Sequence, residues 1–177
     1  MPANLPFVPA GRRRFQVRRS PVHGRGVFAL VDIPQDTRLI EYTGQIISWQ
    51  RAQQQHPHDA AQPNHTFYFH VDDDHVIDAS RGGNSSRWIN HSCDPNAVAE
   101  DVGGRIFIRT LRRVRAGEEL SYDYGLIMDE PLTPELLAEF ACHCGAACCR
   151  GTLLALDADQ HLSASGSAAQ MEGTAHA

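Results

Sequence analysis

Apolar and polar positions alternate over short stretches of this chain, and this pattern predicts β-strands rather than long helices. Residues 15–18 alternate as a half-buried strand does. Short apolar runs at 26–30 and 39–42 predict two further strands. Pro34 and Gly44 interrupt the pattern and predict breaks between strands. The N-terminal part of the chain is therefore expected to be a series of short strands joined by turns.

Two pairs of strand candidates are joined by turn sequences and predict hairpins. The first pair, 67–71 and 75–78, flanks three consecutive aspartates. The second pair, 97–100 and 105–109, flanks two consecutive glycines, which favour a tight hairpin turn.

Only two short segments have the character of helices. Residues 49–55 predict a helix that ends before Pro57. Residues 134–140 predict a second one, because Thr133 suits the N-cap and Pro134 suits the first helical position. Many short strands with little helix predict a mainly β fold.

Composition and charge narrow the class of protein. The 177 residues are 42% hydrophobic and 21% charged, which suits one globular domain with tails. No apolar run approaches the roughly 18 residues of a membrane span, and the N-terminus lacks the charged start and apolar core of a secretory leader. We therefore expect neither a membrane span nor a secretory leader. The net charge of -5 argues against direct DNA binding, and all 16 basic residues are arginine.

Three motifs follow one another in the second half of the chain. They are GNSSRWINHSCDPN at 83–96, ELSYDY at 119–124 and CHCGAACCRG at 142–151. This ordered trio resembles the SET-domain family of protein lysine methyltransferases, including its zinc-binding post-SET segment. The resemblance runs from about residue 15 to residue 151. It implies a mainly β SET-domain fold of small curved sheets with a pseudoknot-like crossing, followed by a zinc-held C-terminal segment.

The resemblance also divides the chain. It implies a SET domain at 12–125 and a post-SET segment with the zinc site at 126–151. Residues 1–11 contain three prolines and are expected to form a flexible lead. Residues 152–177 are expected to be a mostly disordered extension, since 161–177 are rich in serine, alanine, glycine and histidine.

Five cysteines, an odd number with C-x-C spacing, suit a metal better than a disulfide framework. By resemblance the ligands are Cys93, Cys142, Cys144 and Cys149. Four thiolates around one Zn²⁺ leave no open position, so the expected role is structural. Cys148 departs from the family spacing by one residue, and its competition with Cys149 for the metal stays open.

The resemblance implies S-adenosylmethionine as the methyl donor. The expected donor-binding residues are His23, Gly24, Arg25, Gly26, Val27, Phe28, Tyr68, Arg87, Asn90, His91 and Tyr124. Glycines let the backbone of the first turn pass close to a ligand. The side-chain carbonyl of Asn90 is expected to receive the donor's ammonium, and the backbone of His91 to hold the adenine edge.

Three tyrosines are the expected catalytic residues. By resemblance Tyr124 places its hydroxyl at the transfer point. Tyr122 occupies the family's phenylalanine/tyrosine switch position, where a hydroxyl favours mono- or dimethylation. Tyr68 resembles another tyrosine of the lysine channel, and the alternative for it is a plain sheet residue.

The resulting hypothesis is a protein-lysine N-methyltransferase acting on a histone or another basic protein. A catalytically silent module that binds donor or peptide is the alternative from another class, and a small-molecule methyltransferase on the same scaffold is a third. The expected location is the cytoplasm for a bacterial source, with delivery to a host nucleus left open, and the nucleus for a eukaryotic one. The sequence gives no indication of oligomeric state.

Overall fold

Three small β-sheets make up most of the structure. The computed structural model describes residues 13–55, 68–128 and 131–156. The strands in this part are β1 Phe15–Arg19, β2 Arg25–Ala29, β3 Arg38–Glu41, β4 Gln45–Ser48, β5 Tyr68–His70, β6 His75–Asp78, β7 Asn90–His91, β8 Ala97–Asp101, β9 Ile106–Thr110 and β10 Glu119–Tyr122. The helices are α1 Trp49–Gln55, the 3₁₀ helix Ser85–Trp88 and α2 Pro134–Glu139. This content confirms the predicted mainly β fold.

The strand order brings distant parts of the sequence together. The first sheet has the order β1-β2-β10-β7, the second β3-β9-β8 and the third β4-β6-β5. Neighbouring strands are antiparallel except β7 and β10, which run parallel. In that pair Asn90 lies opposite Ser121, and His91 lies opposite Tyr122. Two of the three sequence motifs therefore meet side by side.

Most elements predicted from the pattern are present. Both hairpins form, as β5–β6 and β8–β9, although Phe67 of the first prediction lies outside the described residues. Helix α1 has the predicted bounds. Helix α2 begins after Thr133, whose side chain accepts the Leu136 N–H, and it ends one residue earlier than predicted. The described residues include no helix of the length and apolar character that a membrane crossing requires.

The pattern did not predict β4, β7 or β10. Strand β4 follows directly after Gly44, which lies so close to the Asp78 backbone that a Cβ there would approach the Asp78 carbonyl oxygen to 2.5 Å. This glycine permits a close approach of two chain segments rather than only ending a strand.

The main core lies between the first two sheets. Its buried members are Val27, Ala29, Ile33, Ile89, Ala97, Ile108, Val114, Leu120 and Tyr122. Leu120 and Ile108 are completely shielded from solvent. Because these side chains come from β2, β8, β9 and β10, their burial fixes the position of the β7–β10 pair against the rest of the fold.

A second packed cluster holds the C-terminal segment. Phe140 and Cys142 are buried against Leu153 and Leu154, and Leu126 forms a parallel bridge with Leu154. Packing therefore continues beyond residue 151, where the predicted post-SET segment ends. The predicted lead at 1–11 and residues 157–177 of the predicted extension lie outside the described residues.

Asn96 fastens the loop after β7 to β10. Its side chain is buried and donates to the Glu119 carbonyl at 2.7 Å. Its oxygen accepts the Ser121 N–H at 3.0 Å. Since this one side chain satisfies two backbone groups of β10, it acts as a clamp on the parallel pair.

Replacing this clamp should destabilise the fold. Asn96→Ala leaves the buried Ser121 N–H without its acceptor, so we expect the free energy of unfolding to fall by about 2–4 kcal/mol. Urea unfolding followed by tryptophan fluorescence measures this change. Asp94→Ala, an exposed position in the same loop, should change stability by less than about 0.5 kcal/mol. Equal stability of the two variants would contradict the clamp.

Candidate active site and metal centre

The turn between β1 and β2 borders a surface cavity of about 600 Å³. The cavity is lined by Val17, Arg18, Arg19, Gly24 and Arg25. Gly24 has a φ of 43°, in the left-handed region that favours glycine. Its carbonyl accepts the N–H of Ser20 at 3.0 Å, which closes the turn. The predicted first donor-binding turn therefore adjoins an open, arginine-lined cavity.

Asn90 lies against this turn and its amide orientation is fixed. Its Nδ2 donates to the Arg25 carbonyl at 2.9 Å, to the His23 carbonyl at 3.4 Å and to Glu119 Oε1 at 2.7 Å. All three partners are acceptors, so only the NH₂ group fits there. The carbonyl oxygen on the opposite edge of the amide is left to receive a donor. The structure thus brings predicted donor residues from the turn and from β7 together.

Glu119, which the sequence analysis did not identify, completes this group. Its Oε2 accepts the Ser20 hydroxyl at 2.9 Å. A Cβ at Gly26 would lie 2.1 Å from Glu119 Oε1. Gly26, on β2, leaves room for the Glu119 carboxylate, and a side chain at this position would require that carboxylate to move. No local pattern around residue 119 signals this role, since it arises from contacts with residues far away in the sequence.

The remaining predicted donor residues differ in position. Val27 is buried in the main core, and the Phe28 ring lies 3.8 Å beneath the Arg18 guanidinium. Both residues lie on β2 between β1 and β10, and neither lines the cavity. Arg87 donates to the Ala79 carbonyl at 2.9 Å and stacks on Trp88. It lies beside the site rather than among the partners of Asn90.

Four aromatic rings form a cluster at the end of β10. The ring centroids of Tyr122 and Tyr124 are 5.0 Å apart, and Phe69 lies 6.4 Å from Tyr122. Tyr42 packs on Phe69 at 5.2 Å. Tyr42 and Phe69 were not among the predicted site residues. Their apolar-strand context gave no signal that distinguished them from ordinary core residues.

Tyr68 lies in a different cluster. Neighbouring residues of a strand point to opposite faces, and here Phe69 takes the face towards Tyr122. Tyr68 packs against the group formed by Ile47, Ala52 and Val76. Among the described residues, the structure therefore does not bring Tyr68 into ring contact with Tyr124.

Tyr124 is held at both ends. Its hydroxyl donates to the Ile89 carbonyl at 2.8 Å, and its backbone N–H donates to His91 Nδ1 at 3.1 Å. Burial raises the pKa of Tyr124, and Tyr42 and Glu119 add to the shift. Burial likewise raises the pKa of Tyr122 and of Tyr42. All three phenols are therefore neutral near pH 7, and they belong to a poorly solvated aromatic cluster without a charge of its own.

The His91 ring connects the aromatic cluster to Cys93. Burial lowers the pKa of His91 to about 4, against the opposing effect of Asp123. The ring is therefore neutral near pH 7. Because Nδ1 accepts from Tyr124, Nε2 carries the proton, and it lies 3.3 Å from the Cys93 sulfur. The His91 side chain thus joins two parts of the site in addition to the expected role of its backbone.

The four predicted zinc ligands converge. The sulfur atoms of Cys93, Cys142, Cys144 and Cys149 all lie within 4.8 Å of one another. Cys93 Sγ is 3.8 Å from Cys142 Sγ and 3.9 Å from Cys149 Sγ. Sulfur atoms placed tetrahedrally at about 2.3 Å from a zinc ion are about 3.8 Å apart. The cluster therefore has the dimensions of a four-thiolate zinc site.

Cys148 lies outside that cluster. Its side chain is exposed, and its sulfur contacts the Cys93 carbonyl at 3.7 Å. The question left open by the sequence spacing is answered geometrically, since Cys149 rather than Cys148 joins the other three sulfurs.

Arg150 ties the cluster to the tyrosine strand. Its guanidinium makes two hydrogen bonds to Asp123, at 2.6 and 2.7 Å. Its backbone N–H donates to Cys93 Sγ at 3.4 Å. A bidentate pair of this kind holds geometry as well as charge. The C-terminal segment is therefore fixed beside the residue that precedes Tyr124.

Comparison with known proteins agrees with this geometry. The family model described as the SET domain matches residues 24–125, more than half of the chain. Human histone-lysine N-methyltransferase 2D is 38% identical over 136 residues, which cover 75% of this chain and 2% of that protein. Histone-lysine N-methyltransferase set1 of Dictyostelium discoideum is 34% identical over 157 residues, which cover 86% of this chain and 10% of that protein.

A third relative is the H3 lysine-4 specific histone-lysine N-methyltransferase of Chaetomium globosum. It is 36% identical over 140 residues, which cover 76% of this chain and 13% of that protein. The chain belongs to the SET-domain family. It spans only a small part of the length of these curated relatives.

The sulfur cluster should bind one zinc ion per chain. We expect Cys144→Ser to lose this metal, because it removes one of four thiolates. Elemental analysis of freshly purified, reduced protein measures the zinc content. Cys148→Ser is the matched control and should retain one zinc. Metal-free wild-type protein, or equal loss in both variants, would contradict the assignment of the four ligands.

Proposed function

We propose that this chain is an S-adenosylmethionine-dependent protein-lysine N-methyltransferase. The observation that carries the proposal is the position of Tyr124, which lies in a cluster of neutral aromatic side chains just beyond β10, the strand that pairs with the strand of Asn90. The family membership supports it, as do the relatives, which are named histone-lysine N-methyltransferases. When bound, S-adenosylmethionine would supply a methyl group on a positively charged sulfur; an aligned neutral amine would form a bond to the methyl carbon as the carbon–sulfur bond breaks, and the sulfur would leave as a neutral thioether.

The turn and Asn90 fit such a donor. Asn90 Oδ1 is available to accept an ammonium, because all the described bonds of the amide come from Nδ2. Gly24 is exposed and lines the cavity, so its backbone is accessible there. The arginines that line the cavity suit a carboxylate. Together these groups match the two charges of an amino-acid moiety.

The aromatic cluster addresses the main chemical difficulty of the reaction. A free lysine has a pKa of about 10.4, so deprotonating its ammonium at pH 7 costs about 4–5 kcal/mol of free energy. Burial among Tyr42, Phe69, Tyr122 and Tyr124 disfavours the ammonium and lowers this cost. The neutral phenols add hydrogen-bonding groups without placing a negative charge that would hold the proton on the amine.

Tyr124 is the proposed catalytic residue. Its hydroxyl proton is engaged by the Ile89 carbonyl, so the lone pairs of its oxygen remain to face the reacting centre. The backbone bond to His91 fixes the ring on the other side. Two anchors on one residue provide the alignment that an in-line transfer needs.

The zinc site is proposed to be structural. Cys93, Cys142, Cys144 and Cys149 would hold the ion and leave no position for a substrate. Burial raises the pKa of the Cys144 thiol, but hydrogen bonds from the backbone N–H groups of Cys93 and Ala146 lower it, so that the pKa falls to about 6. This value favours a thiolate at Cys144. The site's contribution is to keep the C-terminal segment beside Asp123 and Tyr124.

The proposed substrate is a lysine on a histone or another basic protein. The chain carries a net charge of -5, which favours association with a basic partner over DNA. For a eukaryotic source this places the activity in the nucleus, and for a bacterial source in the cytoplasm.

Loss of the Tyr124 hydroxyl should abolish transfer. We expect Tyr124→Phe to lower the rate at least about 100-fold, while the lost bond to Ile89 costs only about 1 kcal/mol of stability. The assay incubates protein with methyl-labelled donor, histones and lysate protein. Because this chain contains no lysine, any labelled lysine belongs to a substrate. Calorimetric donor affinity serves as the control for folding, and equal labelling by both proteins would contradict the proposal.

The Tyr122 hydroxyl should limit the number of methyl groups added. Tyr122→Phe removes a hydroxyl from the pocket and leaves room for a more methylated amine, so we expect the product to shift from mono- and dimethyl-lysine towards trimethyl-lysine. Mass spectrometry of the labelled peptide measures the distribution. An unchanged product distribution at matched turnover would reject this role.

A further inference from the structure

We propose that Glu119 is a positioning residue of the donor site: its carboxylate orients Asn90 and polarises that amide, whose oxygen receives the ammonium of the methyl donor. This inference rests on the proposed function. It adds a residue that neither the motifs nor the resemblance assigned, and it gives the site a specific charge requirement.

The carboxylate links three separate parts of the site. Oε1 accepts from Asn90 Nδ2 at 2.7 Å, and Oε2 accepts from the Ser20 hydroxyl at 2.9 Å. Ser20 in turn begins the glycine turn, where its hydroxyl also accepts the Val22 N–H at 3.0 Å. Glu119 is therefore held at both oxygens by the two elements that form the donor site.

The glycine at position 26 indicates how close this carboxylate lies to the turn. A Cβ there would overlap Oε1 at 2.1 Å, so any other residue would displace the carboxylate. Gly26 is the second residue of β2 and follows the turn directly, so the space it leaves is filled by the Glu119 carboxylate beside the turn.

The charge compensates an otherwise cationic surface. The cavity beside the turn is lined by Arg18, Arg19 and Arg25. A donor that carries both an ammonium and a sulfonium would be repelled by these arginines alone. Glu119 is the carboxylate in direct contact with Asn90, so it is placed to offset that repulsion on the ammonium side.

Asn90 transmits the charge to the ligand. An amide that donates to a carboxylate on one edge is polarised, and its carbonyl oxygen on the other edge becomes a stronger acceptor. The arrangement runs from the Glu119 carboxylate through the Asn90 NH₂ group to Asn90 Oδ1, the atom proposed to meet the ammonium. Glu119 also contributes to the raised pKa of Tyr124, after burial and Tyr42, so its field reaches the reacting end of the site.

Glu119→Gln separates charge from geometry. A glutamine can accept from Asn90 with its oxygen and donate to Ser20 Oγ with its nitrogen, so the turn keeps its hydrogen bonds. We expect this variant to bind S-adenosylmethionine and S-adenosylhomocysteine about tenfold more weakly, in line with the loss of a charge-assisted hydrogen bond. Isothermal titration calorimetry measures both affinities. The KM for donor should rise, while the KM for the lysine peptide stays unchanged.

Two comparisons make the result specific. Glu100→Gln removes the same charge from a partly buried glutamate on β8 that pairs with Arg109, and it should keep donor affinity within about twofold of wild type. 5′-Methylthioadenosine, which lacks the amino-acid part of the donor, should bind wild type and Glu119→Gln equally. A parallel loss of affinity for this ligand would overturn the proposal, because Glu119 would then only shape the pocket.

The outcome also distinguishes this inference from the proposed function. Wild-type protein that binds neither nucleoside would refute the proposed function itself. Wild-type binding together with unchanged affinity in folded Glu119→Gln would refute the role of Glu119 alone. If Glu119→Gln does not fold, Ser20→Ala removes one hydrogen bond to the carboxylate, together with the acceptor of the Val22 N–H. It should weaken S-adenosylhomocysteine binding about threefold, and unchanged affinity would then count against the proposal.

Discussion

The parallel pairing of β7 with β10 is the interaction on which the rest of the site depends. It places Asn90 opposite Ser121 and His91 opposite Tyr122. Glu119, at the start of β10, then accepts a hydrogen bond from the Asn90 amide, and Tyr124 lies two residues beyond the end of β10. Successive side chains of a strand point to opposite faces. A slip of one residue would turn each of these side chains to the other face. The buried Asn96 clamp and the complete burial of Leu120 keep the register fixed.

A second consequence of this pairing is that the cysteine cluster and the aromatic cluster are connected through common neighbours. His91 accepts from the Tyr124 backbone with one ring nitrogen and contacts the Cys93 sulfur with the other. Arg150 connects Cys93 with Asp123 in the same region. The C-terminal segment that carries three of the four clustered cysteines is therefore also connected to Tyr124 through His91, Asp123 and Arg150. Its ligands and the residues that position Tyr124 form one continuous network.

The sequence predicted those features that depend on local pattern. Period-two alternation indicated both hairpins, Thr133 and Pro134 indicated the start of α2, and the cysteine spacing with the family resemblance indicated the four converging sulfurs. Tertiary contacts determined the rest. Phe69 rather than the adjacent Tyr68 faces Tyr122, because the pairing of β5 with β6 decides which face is which. Glu119 acquires its role only when Gly26 and Asn90 are folded against it.

The β7–β10 pair is proposed to assemble both the donor site and the surroundings of the catalytic tyrosine. A crystal structure with S-adenosylhomocysteine is the decisive test of this proposal. We expect the ligand's amino group within hydrogen-bond distance of Asn90 Oδ1, with its sulfur directed towards the Tyr124 hydroxyl. A ligand bound elsewhere, or bound in this cavity with its amino group away from Asn90, would contradict it.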